Sequence, residues 1–592
     1  MDKYLENKRA VIASVVALGA VGFAGYWLLS GGTAPPAGGA EAKRPGSKKK
    51  KNKKKSGKKN LPTSHGFPTA QEGSEGPLYP VIDDWSRVAS LPETDRKQIG
   101  EEFKAAGNAA FGAKQFDKAL ELYSNAIRAY PKDAVFYANR AAVWGSWKNF
   151  EEVVKDTSEG LRLRPDYVKC YTRRAVAHEN LRNYREAVMD YTSAVILQNF
   201  HDDSLGQSVD RVLRAEAEVR MAAEGGQPSK DFPSANFVRS YLQSFHPRAL
   251  PASVEQATEG SAEYELKLAF DAMDKENQES YKQAFHLIQA VTTLGGSKKF
   301  TDKTAEALAY EYLATFQSLC NETEPALAAI NQSLALNPTV PAYLKRSAVL
   351  IESGLLRESE QDFTNARNLD PESADLYYQL AQVEFLQGQW EQAKANYERS
   401  IKIDSKFTLA RVQLAVTLYR MDRIDEAKQQ FEQLIAEKPE EAQAYNYYGE
   451  ILLDLKESSA AQAQFQKAID LEQARQGSAI NVLPIVNMSM AIMQDAKGPS
   501  DVERALEVCQ RAATIDPQSD VAVGSLAQFE LQLGRTSEAV KLFERNAKLA
   551  RTPSEQLQSY TFAEAARTQL RIAAERPIVR ERLEFLSKLQ QR

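Results

Sequence analysis

The chain has 592 residues, 43% of them hydrophobic, more than one core can organise, so several modules are expected. Net charge is only −4, but residues 1–60 hold 14 Lys/Arg against three acidic residues, a local +11 that leaves −15 for the remainder. The three cysteines (Cys170, Cys320, Cys509) and five histidines are widely scattered, which excludes a disulfide framework, a CxxC pair or a His-rich metal centre and fits a reducing compartment.

In chain order, the first predicted element is Ala10 to Leu29, 20 residues without a charge and long enough to cross a bilayer as one helix. Tyr26 and Trp27 stand near one end, where interfacial aromatics collect. The apolar run exceeds the core of a signal peptide, and the leader MDKYLENKR is only weakly basic, so an uncleaved anchor is the better reading. Lys3, Lys8 and Arg9 precede it, opposed by Asp2 and Glu6, whereas KKKKNKKKSGKK follows it. The side richer in Lys/Arg stays in the cytosol. The prediction is a single-pass protein: residues 1–9 across the membrane, 10–29 spanning, and the bulk of the chain in the cytosol. Beside a span, the lysine run reads as a tether drawn to anionic lipid, about 1 kcal/mol per Lys near the surface. It is not read as a nucleic-acid site. Residues 30–98, rich in Gly, Pro, Ser and Lys, read as a flexible linker.

Beyond the linker the chain repeats. Ala119, Tyr123, Ala126 and Pro131 recur 34 residues later as Val153, Thr157, Gly160 and Pro165, and again as Ala187, Tyr191, Ala194 and Asn199. A helix–turn–helix period of 34 is the signature of tetratricopeptide repeats, in which large residues pack around small ones and Pro separates the units. No unit buries its own face, so the units stack into a superhelical solenoid. The frame resumes with Tyr310/Ala314/Ala326/Ile330/Pro338 and runs to Leu526/Ala527/Ala539/Phe543, with a distorted unit around Pro484 and a degenerate one near 265–300. The fold class expected is therefore all-α, about 11 repeats in two arrays: three over 99–201 and eight over 263–553. Residues 202–262, where the frame is lost, read as a helical joint, and 554–592 as a C-terminal helical cap.

First helices of such repeats line the concave surface. Lys104 and Asn108 project there from the first repeat, Asn139 from the second, and Lys169 and Arg173 from the third. Each alone would pass as solvated surface. Together they are all donors with three positive charges, a set suited to carboxylates. Lys supplies point charges, Arg a planar fork and Asn amides without repulsion. A C-terminal carboxylate is a recognised target for such a site.

These five positions resemble the carboxylate clamp of chaperone-binding tetratricopeptide domains. That resemblance implies capture of the C-terminal Glu-Glu-Val-Asp of cytosolic heat-shock chaperones of the seventy- and ninety-kilodalton classes. With its anchor, Lys-rich tether, three clamp repeats, joint and eight further repeats, the whole chain resembles the fungal form of the seventy-kilodalton, tetratricopeptide import receptors of the mitochondrial outer-membrane translocase. The resemblance implies a mitochondrial outer-membrane receptor that docks chaperones. It further implies that the receptor holds hydrophobic precursor proteins in its second array, contacts other translocase subunits and needs no cofactor. Expected concave positions of that array are Tyr378, Gln382, Val412, Asn446, Tyr447, Met490 and Gln528, whose aromatic, amide and thioether groups suit an adaptable groove. No P-loop, GxSxG, HExxH or Cys/His cluster stands apart from the repeats, so no enzyme is expected. The alternatives are a chaperone-docking receptor on another membrane, such as the endoplasmic reticulum, and a passive scaffold.

Overall fold

The structure, a computed structural model, describes residues 67–71, 78–293, 299–475 and 477–590. The anchor expected over 10–29, the segment 1–9 and most of the linker lie outside these residues; among the described ones no helix is long and apolar enough to cross a membrane. Apart from a two-stranded hairpin, Thr69–Gln71 (β1) against Leu78–Pro80 (β2), the regular elements are helices. They divide between two compact units. The first holds the described residues up to Ala223 together with those from Thr561 onward, and the second holds Glu224–Tyr560.

In the first unit a short helix, Trp85–Ala89 (α1), precedes three helical pairs: Glu93–Gly112 (α2) with Phe116–Ala129 (α3), Ala134–Ser146 (α4) with Phe150–Leu163 (α5), and Val168–Asn180 (α6) with Tyr184–Leu197 (α7). Local chemistry sets the boundaries. Asp133 caps α4 by accepting from the Val135 N–H, and Asn149 caps α5 from the Glu152 N–H. Each hairpin turns on one residue in the left-handed region, Lys114, Lys148 and Arg182, at φ 61°, 57° and 59°. The small positions explain the tight pairing. A Cβ on Gly107 would lie 2.8 Å from the Tyr123 ring, so α2 and α3 approach through that gap.

The linker reading fails at its C-terminal end. The rings of Tyr79 and Trp85 lie 5.9 and 6.0 Å from that of Phe103, and the Arg128 guanidinium sits 4.6 Å over Trp85. The first pair of a solenoid has one face with no neighbour, and the hairpin and α1 cover it.

The cap reading also changes. Helices Pro553–Glu575 and Pro577–Gln590 supply Ile572 and Val579, from the stretch after Thr561, to the core formed with α7. Arg571 donates to Glu186 at 2.8 Å, Arg576 to Asp190 at 2.9 Å, and Arg582 to Asn199 at 2.6 Å. The C-terminal helices thus cover the third pair of the first array. The reason is that α7 is buried on every residue from Ala187 to Ile196, so it needs a further layer. Helix Asp203–Ala223 (α8) also packs on α7 through Leu205, Val209 and Leu213. Only the rest of the expected joint, from Glu224, belongs to the second unit.

The second unit contains eight helical pairs, from Ala262–Met273 with Gln278–Thr292 through Asp520–Gln532 with Thr536–Leu549. Its core follows the same rule as the first. A Cβ on Gly449 would meet the Phe465 ring at 2.6 Å. Ahead of these pairs, helix Ala235–Gln243, capped by Ser234, lies against several of them.

Candidate functional site: two sets of polar groups

The first set lies in the first unit. α2 carries Lys104 and Asn108 one turn apart, α4 carries Asn139, and α6 carries Lys169 and Arg173 one turn apart. A hydrogen bond joins two of the five, and a third bonds the backbone of the neighbouring first helix. The Asn139 amide donates to Asn108 Oδ1 at 3.1 Å, and the Tyr123 hydroxyl donates to the same oxygen at 2.8 Å. The Arg173 Nη1–H donates to the Ala138 carbonyl at 2.6 Å. The first helices α2, α4 and α6 are therefore linked in succession, α2 to α4 through Asn108 and Asn139 and α4 to α6 through the Ala138 carbonyl and Arg173. Lys104 and Lys169 flank them by helix geometry. Lys169 is exposed, whereas Lys104 pairs with Glu101, a counter-charge at i−3 that sequence reasoning missed although its spacing was visible.

The two adjacent arginines of α6 have opposite surroundings. Arg174 grips Asp190 through Nε at 2.6 Å and Nη2 at 2.7 Å, and hydrogen bonding to that carboxylate holds it protonated despite burial. Arg173, also half-buried, has no carboxylate partner among the described residues, and burial pushes its pKa below the usual guanidinium value. A desolvated cation paired only with a carbonyl is costly to keep charged. Tyr123, beside it, has its pKa raised to about 12 by burial, so its hydroxyl stays a donor.

The second set lies in the second unit, around a cavity of about 230 Å³. Of the seven expected groove positions, Tyr378, Gln382, Asn446 and Tyr447 line it, joined by Gln413 and Gln443, which sequence reasoning missed. Val412, Met490 and Gln528 do not line it. Val412 is wholly buried in the core and Met490 nearly so, whereas Gln528 is half-buried elsewhere. The error at 412 is one of register: its neighbour Gln413 faces the cavity, and one residue turns a helix by about 100°. Tyr378 is 3% exposed; its hydroxyl accepts from Gln382 at 2.7 Å and its ring lies 4.9 Å from that of Phe407. Asn446 donates to Glu450 at 2.8 Å, and Asn487 donates to the same oxygen at 2.7 Å. Burial lifts the Glu450 carboxyl to about 7. Elsewhere in the unit, His246 stands between Asp375, 2.5 Å from Nδ1, and Asp404, 2.9 Å from Nε2, and these bonds raise its pKa to about 9.

Among the described residues no three His, Cys, Asp or Glu side chains are placed to hold a metal ion. All three cysteines are buried.

Comparison with known proteins adds to this geometry. The family model described as tetratricopeptide repeat matches residues 384–447. Over 551 residues the chain is 27% identical to the mitochondrial import receptor subunit Tom70 of Saccharomyces cerevisiae, covering 88% of each chain. It is 26% identical over 501 residues to the human protein of that name, covering 81% of this chain and 80% of the human one. Among solved structures, that of yeast Tom70 aligns at a TM-score of 0.54 and 27% identity, covering 83% of this chain and 99% of the other.

Proposed function

We infer that this chain, a member of the Tom70 family of mitochondrial import receptors, works as a two-site receptor on the outer membrane. Its first unit binds the C-terminal carboxylates of cytosolic heat-shock chaperones, and its second unit holds a hydrophobic precursor. The observation that carries the first half is the half-buried, carboxylate-free Arg173 beside the Asn108–Asn139 pair. A tail ending in Glu-Glu-Val-Asp supplies a terminal carboxylate and an Asp side chain. Arg173, Lys169 and Lys104 provide charge for them, and the Asn amides provide neutral donors. Lys104 exchanges Glu101 for the ligand, a small loss because that pair is part-exposed.

The second half rests on the amide- and tyrosine-lined cavity, which offers hydrogen bonds to a peptide backbone beside aromatic surface. On this reading the charged head, residues 1–60, anchors the receptor and leaves both units in the cytosol, where they meet chaperones, precursors and other translocase subunits. The test is import of a chaperone-delivered, radiolabelled carrier precursor into isolated mitochondria carrying either the wild-type chain or Arg173→Ala. The expected result is a severalfold loss of chaperone-dependent import with chaperone-free binding unchanged. Equal import by both chains contradicts the clamp.

A further inference from the structure

Residues 234–248 are the least repeat-like part of the second unit, yet they touch elements spread from residue 276 to residue 516. Asn236 donates to the Ile480 carbonyl at 2.6 Å. Arg239 donates to the Ala479 carbonyl and to Glu472, each at 3.0 Å. Gln379 donates to the Ser244 carbonyl at 3.1 Å. His246 lies between Asp375 and Asp404, with its ring 4.4 Å from that of Phe407. Arg248 reaches Glu311 at 3.6 Å.

Two features distinguish this segment from ordinary core. First, the repeats present buried acids to it: Glu472 is 3% exposed and Asp375 7%. Among the described residues, the only cation paired with Glu472 is Arg239, and the only one paired with Asp375 or Asp404 is His246. A buried carboxylate without a cation is costly, so these positions are built for a basic ligand. Glu311 differs, because Lys345 pairs with it at 2.9 Å from within the array. Second, the fit is incomplete. The cavity of about 230 Å³ opens between Ser240 and Ser244 of the segment and Tyr378, Gln382 and Asn446 of the repeats, and Phe237 is 45% exposed. Gly225 and Gly226 on one side and Gly260 on the other, all at positive φ, give the flanking chain tight, non-helical bends.

We propose that residues 234–248 are a tethered ligand of the second array, holding with Arg239 and His246 the acidic positions that a basic, aromatic client segment takes over when it enters. The proposal rests on reading this array as the client groove. It adds the client's chemistry, two basic residues about seven apart in a helical, aromatic stretch, and a step in which the internal segment leaves.

The test uses the full chain in lipid nanodiscs and a fluorescein-labelled peptide with the sequence of residues 232–249 as probe. The double variant Arg239→Ala/His246→Ala keeps every groove residue and loosens only the tethered segment. It is expected to bind the probe at least tenfold more tightly than the wild type, and a probe carrying the same two alanines is expected to lose that binding. Hydrogen exchange supplies a readout independent of the variant: on the wild-type chain, saturating probe should speed exchange of the 235–243 amides while leaving the paired helices protected. Equal probe affinity for both chains, or unchanged exchange at 235–243, overturns the tethered ligand. A labelled segment of a carrier precursor separates this outcome from the parent reading. If that segment binds both chains equally, the groove stands without the tether; if it binds neither, the groove reading itself fails.

Discussion

Removing the Asp190 carboxylate tests whether the arginines of α6 are divided between structure and binding. Asp190 is 1% exposed and accepts from Arg174 at 2.6 and 2.7 Å and from Arg576 at 2.9 Å. The Arg174 and Arg576 side chains are only 12% and 15% exposed, so water screens the loss poorly. Breaking a buried pair by deleting one partner costs about 3–5 kcal/mol. Arg174 keeps a bond to the Ser158 hydroxyl at 3.0 Å, which favours the lower end, about 3 kcal/mol. For a unit of this size about 1 kcal/mol moves a melting midpoint by roughly 2–4 °C. Asp190→Ala should therefore lower the first unit's transition by about 6–12 °C, read by hydrogen exchange of α6 and α7 during thermal unfolding. Asp362→Ala, which removes the equivalent partner of Arg346 (2.5 and 2.8 Å) in the second unit, should leave the first unit's transition in place. A shift below about 2 °C for Asp190→Ala would refute the division, because Arg174 would then be as free as Arg173.

Three other predictions concern single side chains, mostly in the second unit. The His246 pKa is raised from 6.5 to about 9, so its contribution is fully present below pH 6.5 and is lost as pH rises through about 9; wild-type stability should fall across that window and that of His246→Gln should stay flatter in urea titrations. The Glu450 carboxyl, raised from 4.5 to about 7, costs stability as pH rises from 4.5 through 7, and Glu450→Gln keeps an acceptor for Asn446 and Asn487. This substitution should stabilise the unit by about 1–3 kcal/mol at pH 8 and change it little at pH 4.5, measured by the same titrations. Gly449→Ala, driven into the Phe465 ring, should cost about 1–3 kcal/mol, whereas Gly112→Ala, with nothing within 4 Å of its new Cβ, should be neutral or slightly stabilising in thermal melts.

Much of the fold is legible in the chain because a repeat states its packing many times over. Tyr123 against Gly107 and Phe465 against Gly449 are the same contact, and each copy supports the others. That Lys104, Asn108, Asn139, Lys169 and Arg173 stand on first helices was legible for the same reason, since the helix register was fixed by the repeat. What stayed hidden comes from parts that occur once. Tyr79 and Trp85 sit in a Gly/Pro-rich stretch that reads as linker, and only their contact with Phe103 gives them a place. Val412 and Gln413 are neighbours, and choosing between them needs the helix's rotation about its axis to within about 50°, half the step between adjacent residues. The signal for the C-terminal helices was present in AVMDYTSAVI, which carries no polar stripe wide enough for a solvent-facing second helix. Arg239 and His246 meet carboxylates more than a hundred positions away, a pairing no local pattern encodes.

The central claim is that the first unit grips a terminal carboxylate through Arg173. Its most direct test is calorimetric titration of the full chain with a peptide ending in Glu-Glu-Val-Asp, run beside the amidated peptide and the Arg173→Ala and Lys104→Ala variants. Hydrogen bonds to charged groups contribute about 1.5–3 kcal/mol, so micromolar binding to the wild type should weaken by roughly 10- to 150-fold with Arg173→Ala, weaken for Lys104→Ala, and fall with the amide. Binding that is absent, or indifferent to Arg173 and to the terminal carboxylate, contradicts the clamp.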